Sequence, residues 1–377
     1  MIFSAAAGLL LIVATLWEAF ETIILPRRVT RRFRFTRLFY RTSWLPWRAL
    51  ARQFRVTKRR EGFLSIYGPL SLLFLFTLWA FLLIVGFGLL DYAHRGAHVA
   101  GASLETCLYL SGTTFFTLGL GDVTPQGTLE RILAVVESGI GFGFLALVLS
   151  YLPVIYQAFS RREVSIVLLD ARAGSPPTAT ELLRRHTGPD GRADLQKLLH
   201  EWERWSAEIL ESHVSYPVVS YFRSQHNNES WLGALAAILD TCSLLISGAD
   251  DACARQARLT FAMCRHTVVD LAQVFFASPL QMPDGRLPAS ELARLRSVLT
   301  QAGIQLRDTP ESNNKLIHLR EMYEPYLQAL AAFLYMELPP WILAKEITDN
   351  WKTSAWGRIA GFTSPAGGDL PTDDHSE

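Results

Sequence analysis

The sequence predicts an all-α membrane protein with a helical soluble part, and three observations carry that class. Three apolar runs, Ile2 to Leu25, Phe63 to Leu90 and Ile132 to Phe159, are each long enough to cross a hydrocarbon core of about 30 Å. A fourth, shorter run, Ser103 to Phe116, ends in a glycine-rich turn. After Glu163 the apolar residues recur at helical spacing, as in Leu195, Leu198, Leu199, Trp202 and Trp205. The chain has 377 residues, half of them hydrophobic, which leaves room for more than one domain.

Ile2 to Leu25 reads as a transmembrane helix rather than a secretory signal, because its basic residues, beginning at Arg27 and Arg28, follow the apolar core. That polarity places the amino terminus outside. Glu18 and Glu21, near the inner end of this helix, either face protein or water or pair with Arg27 or Arg28. From Arg27 to Arg60 the chain carries about a dozen Arg and Lys and no acidic residue, the mark of a cytoplasmic connection. With Trp44 and Trp47 among them, these charges make either an interfacial helix on anionic lipids or a basic loop that only fixes topology.

Phe63 to Leu90, interrupted by Pro69, carries the chain outward into a polar stretch, Asp91 to Gly101, nearly free of Lys and Arg. Ser103 to Phe116 is too short to span and reads as a re-entrant half-helix ended by Gly119 to Gly121. Ile132 to Phe159 then spans and delivers Arg161 and Arg162 to the inside.

Beyond it, Val164 to Asp170 reads as a possible strand. Loop signals lie at Gly174 to Pro177, His186 to Gly191, Ser278 to Pro288 and Thr309 to Asn314, and Ser290 has the look of a helix N-cap. Trp231 to Ile246 is apolar, but it is short and holds Asp240, so it reads as a buried helix of the soluble part. The residues from Gly357 onward cannot form a core and read as a disordered tail. The expected organisation is therefore residues 1–26 N-terminal helix, 27–61 basic linker, 62–160 two spanning runs with the half-helix between them, 161–356 helical cytoplasmic domain and 357–377 tail.

Net charge is only +1, so nothing global suggests a nucleic-acid partner. The four cysteines, Cys107, Cys242, Cys253 and Cys264, lack metal-ligand spacing and read as buried free thiols.

The chemistry concentrates at Thr117-Leu118-Gly119-Leu120-Gly121-Asp122. A potassium ion crossing a membrane exchanges its hydration shell for oxygens, and rings of backbone carbonyls can supply them. Glycine at alternate positions, Gly119 and Gly121, allows the positive φ that lets neighbouring carbonyls line up. Thr117 adds a hydroxyl at the inner end, and Asp122 anchors the outer mouth and draws in cations. The carboxyl end of the preceding half-helix points its negative dipole end at the ion path.

The segment Thr114-Phe115-Phe116-Thr117-Leu118-Gly119-Leu120-Gly121-Asp122 resembles the TxxTxGxGD signature of the potassium channel pore-loop family, with outer, pore and inner helices in the family's order from about Phe63 to Phe159. The resemblance extends neither to the first helix nor to the cytoplasmic domain. It implies a homotetramer, since one pore loop supplies one side of the filter. It also implies permeant potassium ions held by the carbonyls of Thr117, Leu118, Gly119, Leu120 and Gly121, with no further cofactor and no enzymatic activity. Leu120 departs from the usual Tyr or Phe and removes the ring that braces the filter, so a softer filter is expected.

Thr113, Thr114, Asp122 and Glu137 are expected to support the filter, Glu137 through a hydroxyl of Thr113 or Thr114 on the pore helix, because a carboxylate in lipid needs a partner. Gly141 falls where the family often places a gating hinge. Close packing of Gly139, Gly141 and Gly143 is the rival explanation. Pro153 frees a carbonyl and allows a bend near an inner gate. No regularly spaced Arg supplies a voltage sensor.

In the soluble part no GxGxxG follows Val164 to Asp170, which speaks against a Rossmann-like regulator. The polar clusters His213 to Tyr216 and Tyr221 to Asn228 are either packing residues or a ligand pocket. Two alternatives to a potassium channel remain in view: a weakly selective monovalent cation channel, and a non-conducting receptor or scaffold.

Overall fold

The computed structural model describes residues 2–25, 35–98, 103–226, 228–249, 252–280, 285–344 and 349. Residues 27 to 34 of the basic stretch, with Arg27 and Arg28, and the tail from Gly357 lie outside them, as do parts of the expected loops after Asp91 and Ser278. Among the described residues all regular structure is helical. The chain divides after Gln157 into two compact units.

In the first unit α1 (Ile2–Ala19) continues into a π-helical turn, Phe20–Ile24. It lies against α3 (Thr57–His98) at a glycine crossing: a Cβ on Gly8 would stand 2.5 Å from the Gly86 carbonyl oxygen, and one on Gly86 would stand 2.7 Å from Ile12. Small residues at both helices allow this approach. Ile12, Ala80, Leu83, Phe87 and Phe115 form the apolar cluster beside it.

The basic stretch contains a helix, α2 (Phe35–Ala51). Its start is capped from α1: Glu18 accepts from the backbone N–H of Phe35 at 2.9 Å and of Thr36 at 3.3 Å, and from the Thr36 hydroxyl at 2.9 Å. A carboxylate suits a helix amino terminus, where free N–H groups and the dipole both attract it. Glu21 accepts from the Trp17 indole at 2.8 Å. The aromatic side of α2 packs on α3, with Trp47 stacked on Phe63 at 4.4 Å and Trp44 against Tyr67 at 4.7 Å. Leu38, Leu45, Arg41 and Arg52 remain exposed.

Helix α3 runs unbroken past Pro69 to His98, so Asp91 to Arg95 are helical rather than part of a loop. Helix α4 (Leu104–Phe115) is the expected half-helix, its first turn capped by the Ser103 hydroxyl, which accepts from Thr106 N–H at 3.1 Å. Helix α5 (Thr128–Ala173) passes through Pro153 and continues well beyond Phe159. Its 46 residues correspond to roughly 69 Å, over twice a hydrocarbon core.

The strand expected at Val164 to Asp170 is therefore helical. Burial there recurs every three to four residues, at Arg162, Ile166, Leu169 and Ala173, a period a seven-residue apolar window is too short to reveal.

The second unit is a helical assembly around α8 (Trp231–Gly248), where every residue from Trp231 to Ile246 is buried. Of the four helices among the described residues that are long and apolar enough to cross a membrane, α8 is the one wrapped by protein, 94% of its apolar stretch being covered. Asp240 inside it meets Arg286 at 2.5 Å and the Tyr323 hydroxyl at 2.6 Å, the pairing a buried charge requires. Helices α7 (Gly191–Ser215) and α9 (Ala252–Val274) pack together beside α8.

Helices α6 (Ala179–Arg185), α10 (Ala289–Gln301), α11 (Pro310–Glu321) and α12 (Glu324–Leu334) complete this unit. Two punctuation readings change. Thr309 opens α11 through a capping box with Ser312 rather than a loop, and the N-cap of α10 is Pro288 rather than Ser290.

Candidate ion pathway

Helix α4 ends in a tightening turn that launches the segment Thr117 to Asp122. Phe116 N–H donates to Gly112 O at 3.1 Å, Thr117 N–H to Thr114 O at 3.0 Å, and the Thr113 carbonyl accepts from Leu118 at 2.8 Å and Gly119 at 3.4 Å. Thr113 thus supports the segment through its main chain, while its hydroxyl donates back to Leu110 O at 2.9 Å.

From there the backbone alternates in hand: φ is +56° at Thr117, +58° at Gly119 and +83° at Gly121, with Leu118 and Leu120 outside the positive region. A chain alternating this way can turn successive carbonyls toward one side. Space is not why the two glycines are there, since a Cβ on either would meet nothing within 4 Å; positive φ is the reason. Thr117, β-branched, holds the left-handed region at a cost of about 1–3 kcal/mol. Leu118 and Leu120 are exposed on this chain.

Asp122 is held from the pore helix, its carboxylate accepting from the Tyr109 hydroxyl at 2.9 Å. Behind the segment, Arg95 on α3 pairs with Asp91 at 3.0 Å and Glu130 at 3.4 Å and donates to the Thr124 carbonyl at 3.0 Å. Glu130 in turn accepts from Gln126 N–H at 2.7 Å. This clamp joins the end of α3, the segment after Asp122 and the start of α5. Sequence reading found neither it nor the Tyr109 contact.

Glu137 is buried against the pore helix, but its partner is Ser111 rather than Thr113 or Thr114. The register explains the difference. Glu137 and Gly141, one turn apart on α5, meet Ser111 and Phe115, one turn apart on α4. Ser111 also donates to the Ile84 carbonyl at 2.8 Å. Thr114 instead lines, with Asp91, Glu130 and Glu137, a cavity with room for about one water molecule.

Gly141 has a packing reason of its own: any Cβ there would fall on the Phe115 carbonyl. A Cβ on Gly139 or Gly143 would meet nothing within 4 Å, so those two are not close-packing sites within the chain. Pro153 lies inside the continuous helix α5.

In the second unit the polar cluster at His213 and the segment after it converge on Arg162, which is fully buried. Its guanidinium donates to the carbonyls of Val219 at 3.0 Å and Phe222 at 2.8 Å and to Glu163 at 2.9 Å, and lies over the Phe159 ring at 5.1 Å. His213 Nε2 is 3.4 Å from Arg162 Nη1, and His213 Nδ1 is 3.0 Å from the Ser212 hydroxyl. Burial, and then the Arg162 charge, hold His213 well below the usual histidine range. Arg223 donates to the carbonyls of Leu334 at 2.6 Å and Tyr335 at 3.1 Å. These residues of the two clusters are engaged in packing the unit, and Asn227 lies outside the described residues. Among the described residues no group of His, Cys, Asp and Glu is arranged to hold a metal ion.

Comparison with known proteins agrees with the first unit. The model of a family described as ion channel matches residues 71–157, which run from α3 through α4 and the segment Thr117 to Asp122 into α5. An uncharacterized membrane protein of Bacillus subtilis (strain 168), YdjJ, is 23% identical over 192 residues, 49% of this chain and 55% of that protein. The chain thus spans about half the length of this curated relative. No solved structure matches. The match and the apolar helices together make this an all-helical membrane protein that carries, over residues 71–157, a domain similar to the ion channel family.

Proposed function

We propose that four copies of this chain form a passive potassium channel of the cell membrane, with the carbonyls of Thr117, Leu118, Gly119, Leu120 and Gly121 as its selectivity filter. The observation that carries this reading is the alternation of backbone hand at Thr117, Gly119 and Gly121, directly beyond the carboxyl end of α4. Nothing in local packing asks for that alternation; a carbonyl-lined path does. The ion channel match over the same residues supports it.

In this reading Thr113, Asp122 and Glu137 hold the filter: Thr113 through its carbonyl, Asp122 through Tyr109, and Glu137 through Ser111. Gly141 seats the pore helix, and bending for an inner gate falls to Pro153. The amino terminus is outside and the second unit cytoplasmic, which sets α2 at the inner surface, where Arg41 and Arg52 meet anionic lipid head groups and Leu38 and Leu45 enter the interface.

Leu120 favours one second reading, a channel less strict for potassium over sodium, because its exposed side chain carries no hydroxyl to lock the filter. The proposal is tested by potassium flux into liposomes holding the purified full-length protein. Wild type carries barium-sensitive flux. Gly119→Ala, with a Cβ imposed at φ +58°, loses it. Equal flux from both refutes the filter assignment.

A further inference from the structure

Ser111 stands between two oxygens on two other helices. Its Oγ lies 2.8 Å from the Ile84 carbonyl on α3 and in hydrogen-bond contact with the Glu137 carboxyl on α5. A serine hydroxyl has one hydrogen to donate and two lone pairs with which to accept. The Ile84 carbonyl can only accept, so it takes that hydrogen. The hydrogen between Ser111 and Glu137 must then come from Glu137, and a carboxylic acid has one to give where an ionised carboxylate has none.

The charges around the site point the same way. Asp91, Glu130 and Glu137 line one cavity with room for about one water molecule. Arg95, the cation next to it, pairs with Asp91 at 3.0 Å and with Glu130 at 3.4 Å. Those two carboxylates already exceed its single charge, and a third ionised group beside them would be repelled. The other titratable groups packed here are Cys107 on α4, buried and facing Asp91, and His94 on α3, beside Gly127. Glu137 is 5% exposed and Ser111 2%, so bulk water does not stand in for either partner.

We propose that Glu137 works as a neutral carboxylic acid that donates its own hydrogen to Ser111 Oγ, while Ser111 donates to the Ile84 carbonyl. Two hydrogens in series thus tie α5 to α4 and α4 to α3. Removal of the Glu137 proton makes Ser111 turn its one hydrogen to the carboxylate and release Ile84, so the seating of α4 depends on pH. The inference concerns the protonation of one side chain and does not rest on conduction, selectivity or the number of copies.

Infrared absorption of the full-length protein in lipid bilayers, wild type minus Glu137→Gln, tests it. At neutral pH the difference is expected to contain the carbonyl stretch of one protonated carboxylic acid, which gives way to a carboxylate band as the pH is raised. A carboxylate band alone at neutral pH overturns the inference. Melting provides a second measurement, because a glutamine amide can donate to Ser111 as the acid does. Glu137→Gln is expected to melt with wild type and Glu137→Ala below both; Glu137→Gln melting as low as Glu137→Ala shows that the site needs the ionised form and overturns the inference as well. Potassium flux in the same bilayers separates this from the channel reading: an acid band without flux in wild type supports the proton on Glu137 and counts against the channel, and flux without an acid band does the reverse.

Discussion

Replacing Arg162 by alanine removes one guanidinium and strands the groups it serves. The carbonyls of Val219 and Phe222 lose donors now at 3.0 and 2.8 Å, and Glu163 loses its partner at 2.9 Å. Breaking a buried charge pair from one side costs about 3–5 kcal/mol, the groups left unpaired included, so the second unit should lose about 3–5 kcal/mol. For a unit of this size about 2–4 °C is lost per kcal/mol, which gives a melting point lower by roughly 6–20 °C. Trp205, whose indole donates to the Arg162 carbonyl at 3.4 Å, makes tryptophan fluorescence of the reconstituted full-length protein a suitable probe. Arg162→Lys keeps the charge but not the fork of donors and should recover only part of the loss. A shift of less than about 2 °C in Arg162→Ala, within the range of ordinary surface substitutions, would refute the argument that this residue anchors α5 in the second unit.

Three further outcomes follow from the geometry. His213 is held neutral in the fold, so the unfolded chain binds more protons below about pH 6.5 and stability must fall on acidification, by at most about 1.4 kcal/mol per pH unit; His213→Gln should flatten that slope in pH-dependent melts, and an unchanged slope refutes the assignment. Gly141→Ala should cost about 1–3 kcal/mol by pushing on the Phe115 carbonyl and depress flux, whereas Gly139→Ala and Gly143→Ala should be near neutral for folding; equal effects at all three would count against the seat for the pore helix. Tyr109→Phe removes the 2.9 Å bond to Asp122 and should destabilise the filter by about 0.5–1.5 kcal/mol, read as potassium flux that decays faster after a concentration step while the melting of the second unit is unchanged.

The apolar membrane-length helices, the half-helix α4 and the positive φ at Gly119 and Gly121 were legible because their signals are local: apolar length and glycine spacing. What was not legible depends on residues far apart in the chain. Glu18 and Phe35 are 17 positions apart, Glu137 and Ser111 26, and Arg162 and Phe222 60, and no periodicity links such pairs. Glu137 was recognised as needing a hydroxyl on the pore helix, but the choice among Ser111, Thr113 and Thr114 is set by the register of two packed helices. The strand reading of Val164 to Asp170 failed for a local reason, since a short apolar run has no period long enough to separate strand from helix. In Arg27 to Arg60 the two readings were an interfacial helix on anionic lipids and a basic loop that only fixes topology; residues 35–51 are helical, with Glu18 as the cap and Phe63 and Tyr67 as aromatic partners, and the lipid contact is part of the proposal.

Potassium selection is the role proposed for the segment Thr117 to Gly121. The measurement closest to it is the reversal potential of the purified protein in a planar bilayer, with potassium chloride on one side and sodium chloride on the other. A reversal potential on the potassium side, moved toward zero by nothing except a change at Thr117 to Gly121 or its supports, is the predicted result. A reversal potential at zero in wild type, or no current in any lipid, contradicts it.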